Sequence, residues 1–281
     1  MRESTKQRGK ALGLALLNFA LVLGLLFGTQ ALIRGRVRDP WGQAILSAVV
    51  FASYLAGRRW IEGHQPPELV GKGGVTEFAK GVGLGIALFS SVMGLLWIVS
   101  DYHPVGHGSA SGLATGALIA LMVGIGEETL VRGFVFRIVE IAGGTWIAVI
   151  VSSALFGAGH AFNPGATVLS SIAIALEAGV LLAAAYVITG RLWFPIGLHT
   201  GWNFTEGSLF GMSVSGYETK AGLLAGTLKG PEILTGGAFG PEASIFAVAV
   251  CLAVAVLLLR RGVQLHRVKS LMWSPPQQSK Q

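Results

Sequence analysis

Charge is scarce in this chain. Only 12% of its 281 residues are charged, against roughly 25% in an ordinary soluble domain, which excludes a water-soluble globular fold. There is one cysteine, Cys251, so no internal disulfide forms and helix packing must hold the fold. Cys251 itself, in a late apolar run, reads as a small packed side chain. No H-E-x-x-H zinc motif occurs, no internal repeat is visible, and no segment reads as a second soluble domain. The first apolar run follows Arg2, Lys6, Arg8 and Lys10. It exceeds the roughly 7 to 15 residues of a signal-peptide core and lacks a small-residue cleavage site, so it reads as a retained helix.

What the chain has instead is apolar length. Hydrophobic residues make up 52% of it and glycine contributes 41 positions, with a mean hydropathy of +0.63. Eight runs approach the ~20 residues that span a bilayer: 11–33, 40–57, 81–100, 111–139, 143–162, 167–188, 193–211 and 243–260. The expected fold is therefore all-α, a polytopic membrane bundle of about eight transmembrane helices, in which small residues allow close helix approach. A polar stretch from Arg58 to Lys80, containing Pro66 and Pro67, separates a two-helix preface with its inner loop, 1–75, from a six-helix core, 76–270, within one membrane domain.

The net charge of +7 reflects inner loops rather than nucleic-acid binding. With both termini cytoplasmic in the cell membrane, 16 of the 21 Lys and Arg residues fall on the inner side, as the positive-inside rule asks. Lys220, Lys229 and the cluster Arg34, Arg36 and Arg38 oppose it, the cluster bearing mainly on the first two helices. The glycine-rich stretch from Ser213 to Glu242 is the longest outer loop. Its glycines and proline argue against regular structure.

Against this background the buried polar groups stand out. Glu127, Glu128 and Arg132 lie in GIGEETLVRGFVF, where each charge costs at least about 2.5 to 3.5 kcal/mol at bilayer depth. Glu128 and Arg132, four apart, share a helix face and pair. Glu127 is turned by about 100°, which leaves it free to face a cavity as a proton acceptor. His160 follows Phe156 by one turn in a later run, and His199 precedes Asn203 by one turn behind Pro195, which suits a helix first turn. A His and an Asn on one face supply donors to an oxyanion, or equally tie two helices together. Glu177 is a further buried acid that either belongs to the outer shell of the site or closes a structural pair, the second reading being favoured.

The ordered patterns E-E-x3-R (Glu127, Glu128, Arg132), F-x3-H (Phe156, His160) and H-x3-N (His199, Asn203) resemble the CPBP intramembrane proteases. That family spans the CAAX prenyl protease 2, lysostaphin-resistance and Abi types; the likeness is close over about residues 110 to 210. It implies a membrane-embedded endopeptidase in which Glu127 activates water and His160 helps hold it. His199 and Asn203 would stabilise the oxyanion, while Glu128, Arg132 and Phe156 support them. It further implies a peptide or membrane-protein substrate, possibly lipidated, among membrane lipids.

Two questions stay open at this level. Glu127, His160 and His199 would make an acceptable three-ligand zinc set, although a water held directly by Glu and His needs no cofactor, and that reading is favoured. The same buried groups would also serve a non-catalytic scaffold or a proton-coupled transporter. Depth is a further difficulty. The run 111–139 is about 43 Å long as a helix, and with His160 at the outer end of its own helix, tilt or a break near Gly133 is needed to bring it level with Glu127.

Overall fold

The computed structural model of the chain describes residues 2–33, 40–219 and 223–270; Arg34, Arg36, Arg38, Lys220 and Lys280 fall outside them. The N-terminal helices are α1 (Arg2–Ile33) and α2 (Pro40–Trp60), followed by α3 (Gly74–Val99), in whose first turn the expected boundary after residue 75 falls. Strand β1 (Asp101–His107) leads to α4 (Ala110–Glu128), capped by Ser109 Oγ accepting from Gly112 N at 3.0 Å. A π-helical segment, Thr129–Phe136, carries α4 into α5 (Arg137–His160). Next come α6 (Val168–Ile174), a second π segment, Ala175–Gly179, and α7 (Val180–Thr189). Then α8 (Trp193–Asn203) runs into a third, Phe204–Leu209. Strand β2 (Leu224–Lys229), the short α9 (Glu232–Thr235), a 3-10 turn at Pro241–Ala243 and α10 (Ile245–Gln264) complete the fold.

All eight expected runs are helical. Five helices are long and apolar enough to cross a membrane by length and composition, one of them the 51-residue run Ala110–His160. That run contains two of the expected passes, because Gly144, at φ 77° and ψ 173°, interrupts it; the left-handed region costs glycine nothing. The break is thus at Gly144 and not near Gly133, where the helix instead loosens into the Thr129–Phe136 π segment.

Two adjacent glycine pairs set the closest helix contact. Gly81 and Gly85 of α3 face Gly197 and Gly201 of α8 so tightly that a Cβ at Gly85 would lie 2.3 Å from Leu198 O, and one at Gly201 would lie 2.3 Å from Val82 O. Backbones this near need small residues on both sides. The result is that α8, carrying His199 and Asn203, is locked against α3.

The connections gather at two ends. At one, Arg191 Nη1 donates to Lys72 O at 2.7 Å, Arg137 grips Glu62, and Lys269 N donates to Thr145 Oγ1 at 2.9 Å. At the other, β1 and β2 pair antiparallel with a bulge between Pro104 and Gly106. There too, Asn163 Nδ2 donates to Ser215 O at 3.0 Å. The expectation of an irregular Ser213–Glu242 loop is corrected: LAGTLK forms β2 because β1, more than 100 residues earlier, supplies its ladder.

Candidate active site

The site begins with a charge buried on α4. Arg132 is fully buried, and its Nη1 lies 2.8 Å from Glu128 Oε1. Its Nη2 donates to Gly179 O at 2.9 Å, while the guanidinium carbon sits 4.9 Å over the Phe156 ring. One side chain therefore joins the Thr129–Phe136 and Ala175–Gly179 π segments to α5. A guanidinium with this many partners at 0% exposure tolerates burial; an unpartnered one would not.

Glu128 serves a second partner. His199 Nδ1 lies 3.2 Å from the same Oε1. A carboxylate only accepts, so Nδ1 carries the proton and Nε2 is left for the cavity. His160 is arranged in the same sense: its Nδ1 is 2.8 Å from Phe156 O, a carbonyl that can only accept. Phe156 packs between the two imidazoles, 4.7 Å from the His160 ring and 6.1 Å from that of His199. Orienting one imidazole nitrogen through the other is how proteins set a histidine's tautomer.

His160, His199, Asn203 and Phe156 line one cavity. Glu127 lies outside that lining. Its side chain is half-buried, its Oε2 has no hydrogen-bond partner, and its charge acts on both His199 and Arg132. Of the seven residues singled out by sequence, the structure gathers Glu128, Arg132, Phe156, His160 and His199 through direct contacts, puts Asn203 on the cavity wall, and holds Glu127 beside them.

No three His, Cys, Asp or Glu side chains among the described residues come together closely enough to hold a metal ion.

The sequence reading of Glu177 as half of a structural pair is corrected. Glu177 lines the cavity, and no ion pair among the described residues includes it. Its neighbours are Cys251, buried as expected, and Glu242. Two residues escaped the sequence reading altogether. Glu242, in the 3-10 turn, lines the cavity beside His160, and Glu206, in the Phe204–Leu209 π segment, faces Glu242. Burial raises the Glu242 carboxyl above the ordinary carboxylate range, against the opposing effect of hydrogen bonds from Ser215. A carboxylate inside the apolar run 193–211 was the available signal for Glu206; Glu242 sits in a Gly-Pro loop and offered none.

Residues 109–205 match the family model described as type II CAAX prenyl endopeptidase Rce1-like. No curated protein and no solved structure matches the chain. The match covers about a third of the chain, and all three motifs lie inside it. It supports a CPBP-family intramembrane protease with endopeptidase activity of the CAAX type. The apolar helices agree with an integral membrane protein.

Proposed function

We propose that this protein hydrolyses a peptide bond of a membrane-delivered substrate, using water activated by Glu127 and an oxyanion site made by His199 and Asn203. The observation that carries the reading is convergence: α5 and α8 bring an imidazole, and an imidazole with a carboxamide, to one cavity, and Glu128 at the end of α4 holds the second imidazole, with Glu127 beside it. Glu128 is engaged by Arg132 and His199. Among the described residues Glu127 has no ion pair of its own, which suits it to accept a proton from water.

In this mechanism water loses a proton to Glu127 as its oxygen attacks the carbonyl carbon, while His160 Nε2 holds that water. The oxyanion is met by the Asn203 amide and by His199 as imidazolium, which donates from Nε2 while Nδ1 stays bonded to Glu128, donors placed before charge develops. Collapse of the intermediate breaks the C–N bond, and the proton on Glu127 passes to the leaving amine. The Rce1-like description suggests a prenylated substrate. We assign the end bearing the 61–73 loop and the tail to the cytoplasm, where Lys and Arg concentrate.

Cleavage of a peptide reconstituted with the purified protein tests this. Glu127→Ala and His160→Ala are each expected to lose about 10² to 10⁴ in turnover, and undiminished turnover in both ends the proposal. Treatment with a chelator, with metal content measured in the same sample, is expected to leave turnover intact; loss of activity restored by a metal would replace the glutamate-type mechanism with a metal-dependent one.

A further inference from the structure

The cavity contains more polar capacity than water activation uses. Glu177 Oε1, Glu242 Oε1 and Trp202 Nε1 are buried without a hydrogen-bond partner, and all three residues line it. The residues are 1%, 3% and 6% exposed, so solvent at the surface does not satisfy them. Leaving a charged or polar group unpaired in such a place is costly. Two acceptors and one donor, aimed into the same space, indicate that an occupant completes them.

The character of that occupant follows from the surroundings. Glu177 and Glu242 come from different segments yet lie close enough for their charges to act on one another, and Glu206 stands behind Glu242, whose backbone and carboxyl it meets. No lysine or arginine lines the cavity. Arg132, the nearest guanidinium to the site, is already held by Glu128. A cation is the occupant that would neutralise both cavity carboxyls at once. The remaining walls are aliphatic, built by Ile174, Leu181, Leu182 and Leu198, and such walls suit a hydrocarbon stem with its charge at the tip. A donor at Trp202 Nε1 asks in addition for an acceptor such as a peptide carbonyl.

We propose that this cavity selects a lysine side chain of the substrate. Its stem would lie along Leu181 and Leu182, its ammonium between Glu177 and Glu242, with Trp202 Nε1 donating to a backbone carbonyl of the same segment. The inference rests on the peptidase reading, since it gives that site its specificity.

Binding to the full-length Glu127→Ala protein in detergent tests the idea without turnover. The probes are two fluorescent apolar peptides, identical except for a single lysine exchanged for norleucine, read by anisotropy at neutral pH. The lysine peptide is expected to bind roughly tenfold tighter or more, the scale of a hydrogen bond to a charged group. In E177Q and E242Q, each made on the Glu127→Ala background, that ratio is expected to fall towards one. Should either variant fail to fold and lose both peptides, E242D decides, because a shortened carboxylate retains part of the preference. Equal binding of the two peptides to the Glu127→Ala protein overturns the proposal, as does a ratio unchanged in both glutamine variants; protonated carboxyls with no cation role would give the first result. Absence of proteolysis by the wild-type protein, with the lysine preference intact, would instead overturn the peptidase reading alone.

Discussion

His199 and Arg132 share one oxygen: Glu128 Oε1 lies 3.2 Å from the imidazole Nδ1 and 2.8 Å from the guanidinium. Glu128 therefore couples the stability of the α4 interior to the orientation of an α8 side chain. Replacing it by alanine leaves a fully buried guanidinium without counter-charge, expected to cost about 3 to 5 kcal/mol. Arg132→Met alone strands the carboxylate and is expected to cost a similar amount. The double variant Glu128→Ala/Arg132→Met removes both charges and is expected to regain a large part of the loss. Unfolding in detergent measures all three, and strictly additive losses would show that the pair is not coupled.

Asn203→Ala separates catalysis from proton transfer. If the carboxamide meets an oxyanion, its loss is expected to lower kcat by about 10² to 10³ while KM holds, because the interaction forms only in the transition state. A proton relay would tolerate the change, since an amide does not titrate. Parallel measurement of kcat and KM on one reconstituted peptide distinguishes the two, and an unchanged kcat removes Asn203 from the oxyanion site.

The seam between α3 and α8 makes a prediction with an internal control. Gly85→Val places a Cβ where Leu198 O stands 2.3 Å away, so α8 must move and take His199 and Asn203 with it. Loss of folded protein, or of activity in what folds, is expected. Gly83, two residues earlier, has nothing within 4 Å of its would-be Cβ. Gly83→Ala is expected to be neutral or to stabilise α3 by up to about 1 kcal/mol. Equal damage from the two changes would show that close approach is not what this seam requires.

Much of this architecture was readable in advance because membrane helices announce themselves by length and apolarity. The i, i+4 relations of Glu128 with Arg132, Phe156 with His160, and His199 with Asn203 are local, so spacing alone exposed them. What stayed hidden is non-local or geometric. The π segments after Glu128 and Asn203, and around Glu177, each hold a glycine and a charged residue, but glycine is too common in this chain to mark a change of helix type, although such turns recur at functional sites. The pairing of Asp101–His107 with Leu224–Lys229 joins two loops across more than 100 residues. For the same reason the Glu206 and Glu242 contact could not be foreseen: each acid gains its meaning only once the outer loop folds over the cavity. Glu177 was assigned to a structural pair because its neighbours, Glu242 and Cys251, come from distant parts of the chain.

The loop after α2 supplies a pH-dependent test outside the bilayer. Arg137 donates from Nη1 and Nη2 to the two Glu62 carboxylate oxygens, each at 2.7 Å, and Arg58 Nη1 reaches Oε2 at 2.5 Å. Asn18 Nδ2 adds a bond at 3.1 Å, so one carboxylate clamps α1, α2 and α5. Burial by itself would raise this carboxyl, but the Arg137 hydrogen bonds and charge, with Asn18 and Arg58, more than offset it and hold it below the usual carboxylate range. A group depressed on folding contributes stability above its unfolded pKa, about 4.3 for glutamate, and loses that contribution as pH falls through the folded value. Glu62→Gln is therefore expected to destabilise the protein by about 2 to 3 kcal/mol at neutral pH, with the gap to wild type closing once the pH is well below 4. Unfolding of both proteins in detergent from pH 7 down to pH 3 measures it, and a gap that stays constant, or widens in acid, would show that the clamp does not depend on an ionised Glu62.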